Sequence, residues 1–275
     1  FWEMDENVTL TISCTGAMIE WTSESQTPWY AYRTSVKKLI VEEGVTTIGT
    51  MSFYGCSAMT SVDIPATLVS CGRDAFNGCN ALSKVNISDI AAWCGIAFDG
   101  RNSAPVYKSK KLYVNGQLLT ALTIPEGVTS IGDYAFYSCA DIKTLTLPNS
   151  LKTIGTAAFT ACKGLTSVTI PENVTSIGLD CFNNCYNLTE INYNAKNIAD
   201  FATGNYVFGN AGRDKDGIAV TIGAEVQHIP ANLFYPADGR DAKVTTVTFL
   251  GAVPTVGTDD FKNVTATAYY PLYES

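Results

Sequence analysis

The chain has 275 residues, 46% hydrophobic and 16% charged, a globular composition with enough material for a large buried core. A formal net charge of −8 argues against partners that need a basic surface, namely nucleic acid and anionic lipid. No apolar run approaches the roughly 18–20 residues of a membrane helix.

The first 35 residues read as a cap or lead-in segment. FWEMDENVTLTIS has neither the basic start nor the apolar stretch of a signal peptide. An opening on Phe1 and Trp2 is expected of a piece of a longer protein. Trp21, Trp29, Tyr30 and Tyr32 crowd this segment. Large aromatics there are expected to cover an exposed core end.

From residue 36 a repeat begins. Phe53 to Phe76 is 23 residues, as are Phe136 to Phe159 and Phe159 to Phe182. Cys56 and Cys79 are one such step apart, and Cys139, Cys162 and Cys185 continue the slot. Ile48-Gly49, Ile131-Gly132, Ile154-Gly155 and Ile177-Gly178 mark another, with Cys71-Gly72 as a substitute. The unit is LxxVxIPxxVxxIGxxAFxxCxx, and clear copies cover about 36–81 and 119–187.

In LTSVTIP, Val168 and Ile170 alternate with Thr169, the period of a strand with one buried face. Pro171 ends the pairing because it lacks an amide donor. A second short strand follows through Ile177, then Gly178, a place for positive φ or a close backbone approach. The stretch to Phe182 suits one 3₁₀ or α turn. One such turn cannot bury its apolar side alone, whereas a stack can.

The copy starting at Leu82 carries Cys94-Gly95 in the Ile-Gly slot. It is then interrupted by a loop, FDGRNSAPVYKSKKLYVNGQ, placing an insertion at about 96–118. After residue 188 the repeat degenerates, with Phe182, Phe208, Phe234 and Phe261 spaced 26, 26 and 27 apart. The solenoid is expected over 36–265, followed by an end segment, 266–275, carrying Tyr269, Tyr270 and Tyr273. The expected fold is a β-rich solenoid of about nine 23-residue turns, with short strands and 3₁₀ or α turns.

LTSVTIPENVTSIGLDCFNNC resembles the BspA-like leucine-rich repeat, also called the Treponema-type repeat. TLTISCTGAMIEW is similar to the lead-in before such repeats, with Cys14 as a departure, and ISDIAAWC resembles a recurrent insertion. The resemblance implies a right-handed superhelix, an extracellular or cell-surface location, and adhesin-like binding of host or bacterial proteins. It supplies no catalytic residue.

Nor do the residues themselves suggest catalysis. The nine cysteines read as buried thiols. Stacked copies hold their Cβ atoms parallel and about 4.8 Å apart, whereas a disulfide needs converging Cβ atoms about 3.5–4.5 Å apart. Cys181 and Cys185 lack a second ligand pair nearby for zinc. His228, the single histidine, is expected to face outward, with no nucleophile motif beside it. Asp214-Lys215-Asp216-Gly217 is a fragment of a calcium loop and reads as a turn. The pairs Glu42-Glu43 and Asp259-Asp260 point to opposite faces if in strands. No cofactor, metal or catalytic site is expected.

Outward strand positions are the expected partner surface: Lys37, Lys38, Thr60, Ser61, Asp63, Ser83, Lys84, Asn86, Thr144, Thr146, Thr166, Ser167 and Thr169. Trp93 and Tyr107, at or in the insertion, join them, since loops on a rigid scaffold often carry function. The expected function is non-enzymatic recognition of a protein partner by a monomer. A surface stalk and a carbohydrate-binding module, the latter using Trp93 and Tyr107 to stack on sugars, are the alternatives.

Overall fold

The structure is a computed structural model, and it describes residues 1–234, 239, 241–258, 260, 261, 264 and 266–270. Asp259, Tyr273 and the rest of 271–275 lie outside the described residues. The fold is a β-solenoid of about ten turns of roughly 23 residues, one more than the repeat count alone suggests. The chain divides into two compact units, Phe1–Leu119 with Gly132–Ser138, and Thr120–Ile131 with Cys139–Ser275.

The first unit carries a seven-stranded sheet. Its central strands, Thr9–Ile12, Lys38–Val41, Ser61–Ile64, Lys84–Ile87 and Leu112–Val114, pair in parallel, each one turn further along the chain. Strand Trp2–Met4 closes one edge antiparallel to Thr9–Ile12, and Gln117–Leu118 closes the other. Thr9–Ile12 adds a rung ahead of residue 36: its Leu10 and Ile12 share the buried row of Leu39 and Val41. Alternation decides which side is buried, so Val62, Ile64, Val85 and Ile87 are at most 5% exposed while Ser61, Asp63, Lys84 and Asn86 face out. A second sheet runs Gly16–Ala17, Val45–Ile48, Ser70–Cys71 and Ala97–Phe98.

The second unit repeats this plan. Ala121–Thr123 pairs with Thr144–Thr146, and Ser167–Ile170, Glu190–Tyr193, Ile218–Ile222, Val244–Phe249 and Thr267–Tyr269 form a five-stranded sheet. Ser130–Ile131, Thr153–Ile154 and Ser176–Ile177 make the sheet of the Ile-Gly slot. Phe159, Phe182, Phe208, Phe234 and Phe261 stack with centroids 5.3–5.6 Å apart, so the ladder survives the looser spacing after residue 188. In the first unit Phe53 stacks on Trp29 and packs tilted against Phe76, with centroids 5.6 and 5.5 Å apart, and the Trp29 indole donates to the Ser52 carbonyl at 2.7 Å.

Gly178 resolves to the close approach. A Cβ there would lie 2.3 Å from the Thr156 amide nitrogen, so a larger residue at 178 would push the stacked turns apart. Cys56, Cys71, Cys79, Cys94, Cys139, Cys162, Cys181 and Cys185 are buried thiols, and Cys14 is half-buried. Burial pushes the Cys56, Cys94 and Cys185 thiols up to about 12. The Cys79 and Cys185 Sγ atoms each approach a phenylalanine carbonyl one turn earlier, at 3.2 and 3.3 Å.

The segment read as a loop is ordered secondary structure. It holds strand Ala97–Phe98, helix Val106–Ser109 and strand Leu112–Val114, and it buries Ser103, Ala104 and Val106 completely. The placement of Cys94-Gly95 needs correction as well. Phe98, not Cys94, pairs with Cys71, although the Cys94 carbonyl accepts from the Gly132 amide as an Ile-slot carbonyl would. The insertion thus splits one slot between two residues.

Candidate functional site

The outward positions of the first unit come together on one sheet. Lys38, Ser61 and Lys84 occupy one register row, and Ile40, Asp63, Asn86 and Tyr113 the next. Lys111 extends the first row, because Leu112 pairs with Val85 and the Val85 amide donates to the Lys111 carbonyl. Lys37, Thr60 and Ser83 sit one residue before their strands, each exposed. Their backbones link turn to turn, and the Thr60 and Ser83 hydroxyls donate to the carbonyls of Lys37 and Thr60.

Three contacts hold this face in shape. Lys38 Nζ lies 2.8 Å from Asp63 Oδ2. Lys84 Nζ lies 4.9 Å from the Tyr113 ring centroid. The Asn86 side-chain oxygen accepts from the Gly116 amide at 2.8 Å, tying the Asn115-Gly116 turn to the sheet. Beside them Val41, Glu42, Glu43, Asp63, Ile64, Pro65, Asn86, Ile87 and Ser88 line an open cleft of about 540 Å³.

The remaining expected residues are elsewhere. Thr144, Thr146, Thr166, Ser167 and Thr169 lie on the second unit, where all are exposed except the half-buried Ser167. Trp93 is corrected outright: it is 1% exposed, packs 5.3 Å from Phe98, and donates its indole N–H to the Ala135 carbonyl at 2.8 Å. A short helix, Ile90–Cys94, capped by Asp89, turns this side chain into the core, so no partner or sugar reaches it. Tyr107 is half-buried and packs edge-on against Tyr137 at 5.2 Å, with the Arg101 and Lys108 cations over its ring. It lies off the lysine-bearing rows.

Sequence reasoning missed Lys110, Lys111, Tyr113 and Ile40. The alternation in KKLYV, followed by Asn-Gly, was the signal for a strand and hairpin turn. It also missed the surroundings of His228. That imidazole bridges Asp200 Oδ1 at 2.7 Å and Thr255 Oγ1 at 2.8 Å, one residue from each of three successive turns. Asp200 Oδ1 also accepts the Ala231 amide, which, ahead of the His228 bond, holds its carboxyl below the ordinary value. Thr255 Oγ1 lies 3.1 Å from the Gln227 carbonyl as well. Each partner is thus engaged by backbone, and the row ties three turns together. Among the described residues no group of three His, Cys, Asp or Glu side chains could hold a metal ion. No helix among them is long and apolar enough to cross a membrane.

Parallel strands one turn apart, a stacked phenylalanine ladder and a close-packed glycine slot define a leucine-rich-repeat solenoid. The chain belongs to the BspA-type leucine-rich repeat family, whose model matches residues 28–103 and 109–238 in six copies. Among solved structures it is similar in fold to a leucine-rich repeat protein from Bacteroides ovatus ATCC 8483, at 20% identity and TM-score 0.51, covering 94% of this chain and 65% of that one. A leucine-rich repeat protein from Eubacterium ventriosum ATCC 27560 is 21% identical with TM-score 0.41, covering 100% of this chain and 95% of that one. A leucine-rich cell surface protein from Faecalibacterium prausnitzii A2-165 is 19% identical with TM-score 0.43, covering 99% and 93%. No curated protein matches.

Proposed function

We propose that the chain is a non-enzymatic recognition module of a cell surface that binds a protein partner through the outward sheet face of its first unit. The observation that carries this reading is the face itself. Lys37, Lys38, Ser61, Asp63, Lys84 and Asn86, drawn from three successive turns, share one ordered surface whose opposite side is fully committed to the core. A rigid scaffold presenting side chains at fixed spacing lowers the ordering cost of binding. Family membership favours the surface location and the protein-binding role. The second unit fits the spacer reading better, because its outward strand positions are mostly Thr and Ser, which are poor hot-spot anchors.

The test is a binding panel of purified extracellular-matrix and bacterial surface proteins against the folded 275-residue chain. The reading expects at least one saturable protein binder that competes with an antibody fragment raised to the first-unit sheet. A correctly folded chain that binds no protein on a broad panel sinks it.

A further inference from the structure

We infer that the partner presents an acidic surface with apolar side chains set beside its carboxylates. The inference rests on the recognition role proposed above and adds the chemistry of the partner.

The chain as a whole is acidic, at −8, yet this face is not. Lys38, Lys84 and Lys111 occupy one row across the parallel strands, and Lys37 and Lys110 flank it, both exposed. Adjacent parallel strands lie about 4.8 Å apart, so Lys84 and Lys111 are neighbours and Lys38 stands two strands, about 10 Å, away. Against these five cations the two rows hold one carboxylate from Lys38 to Lys111, Asp63, which Lys38 already engages. Among the described residues, Lys37, Lys84, Lys110 and Lys111 face no carboxylate within salt-bridge distance. Two of the five, Lys110 and Lys111, come from the insertion, which therefore adds charge as well as a strand.

The neighbouring row decides between kinds of anion. It carries half-buried Ile40 and Tyr113, with Asp63 between them. A polyanion broad enough to cover both rows would meet the Asp63 carboxylate, and one running along the strands would meet Glu42 beyond Val41, with nothing in either case to cover Ile40. A protein surface can set carboxylates on the lysine row, an apolar side chain on Ile40 and Tyr113, and a donor on Asp63. Such mixed patterns give specificity and orientation, and the lysines raise the rate of encounter.

The probe is a random copolymer of glutamate and tyrosine, compared with polygalacturonate as an acidic polysaccharide of matched charge. Binding of each to the full chain is measured by surface plasmon resonance from 50 to 300 mM salt. The expected result is copolymer binding that weakens at least tenfold over that range. The Lys84→Glu/Lys111→Glu variant should weaken it tenfold or more, and Lys84→Gln/Lys111→Gln by less, with unchanged circular dichroism. Polygalacturonate should bind at least tenfold more weakly than the copolymer. Equal or tighter binding of polygalacturonate overturns the inference in favour of a glycan. Copolymer binding that ignores both double variants, or is absent at 50 mM salt, overturns it too. If a panel protein binds this face but is indifferent to salt and to lysine reversal, the inference fails while the recognition role stands.

Discussion

The two units bury the same things and display different ones. In both, aromatic rings stack one turn apart, cysteines sit as desolvated thiols, and a glycine in the Ile-Gly slot admits the neighbouring backbone. On the outward sheet the first unit shows Lys38, Ile40, Ser61, Asp63, Lys84, Asn86, Lys111 and Tyr113, whereas the second shows Thr144, Thr146, Ser167, Thr169, Glu190 and Asn192. The difference teaches that the repeat specifies a stack and leaves the surface free to diverge. Recognition is therefore to be sought where copies depart from one another.

The shared core is the part most open to breaking. Phe53→Ala in the first unit and Phe182→Ala in the second each remove a fully buried ring from the ladder. Each should cost about 3–5 kcal/mol, read by urea denaturation. A large cost in one unit and almost none in the other would break the claim of equivalent cores.

One position separates the units by pH. Asp260 fills the slot that Ala75, Ala135 and Ala158 hold in other copies, and it is 1% exposed. Burial raises its carboxyl to about 7 from 3.8, although its Oδ1 accepts the Phe234 amide. Because the folded-state value lies above the unfolded one, the protonated acid is the form the fold favours. Stability from this group is fully present below pH 3.8 and is lost as pH rises through about 7. Asp260→Asn should remove that loss, gaining up to about 4 kcal/mol relative to wild type at pH 8 and little at pH 4. Melting temperatures over that range check it, and parallel pH curves for the two proteins would refute it.

Glycine substitution sharpens the equivalence again. Gly72→Ala and Gly178→Ala would drive a Cβ to 2.6 and 2.3 Å from the Thr50 and Thr156 amide nitrogens. Each should lose about 1–3 kcal/mol, as overpacking does. Thermal melts would show both falling together. At the small end, Ser61→Ala and Thr169→Ala should each shift stability by no more than about 0.5 kcal/mol, since neither outward side chain packs into the core.

Much of this organisation was readable from spacing. The Phe, Cys and Ile-Gly slots give the period, and the alternation in SVTI gives the buried side of each strand. The insertion was harder. Its helix Val106–Ser109 is a single turn and its strand Leu112–Val114 has three residues, too short for periodicity to outweigh the Gly, Asn and Pro around them. The Asn115-Gly116 pair, with φ of 50° and 81°, did carry the hairpin signal. Trp93 was misplaced because five helical residues, Ile90–Cys94, do not reveal which side faces the core. The Asp200–His228–Thr255 row was invisible for another reason: its members are 28 and 27 residues apart, after the repeat has lost its fixed period.

The central claim is that the first unit's face recognises and the second's does not. The most direct measurement places one bulky side chain on each, Ser61→Trp and Thr169→Trp, and compares the affinity of the same bound protein partner by surface plasmon resonance. The account predicts at least a tenfold loss for Ser61→Trp and less than a twofold change for Thr169→Trp. A loss confined to Thr169→Trp, or no loss in either while both variants remain folded, would contradict it.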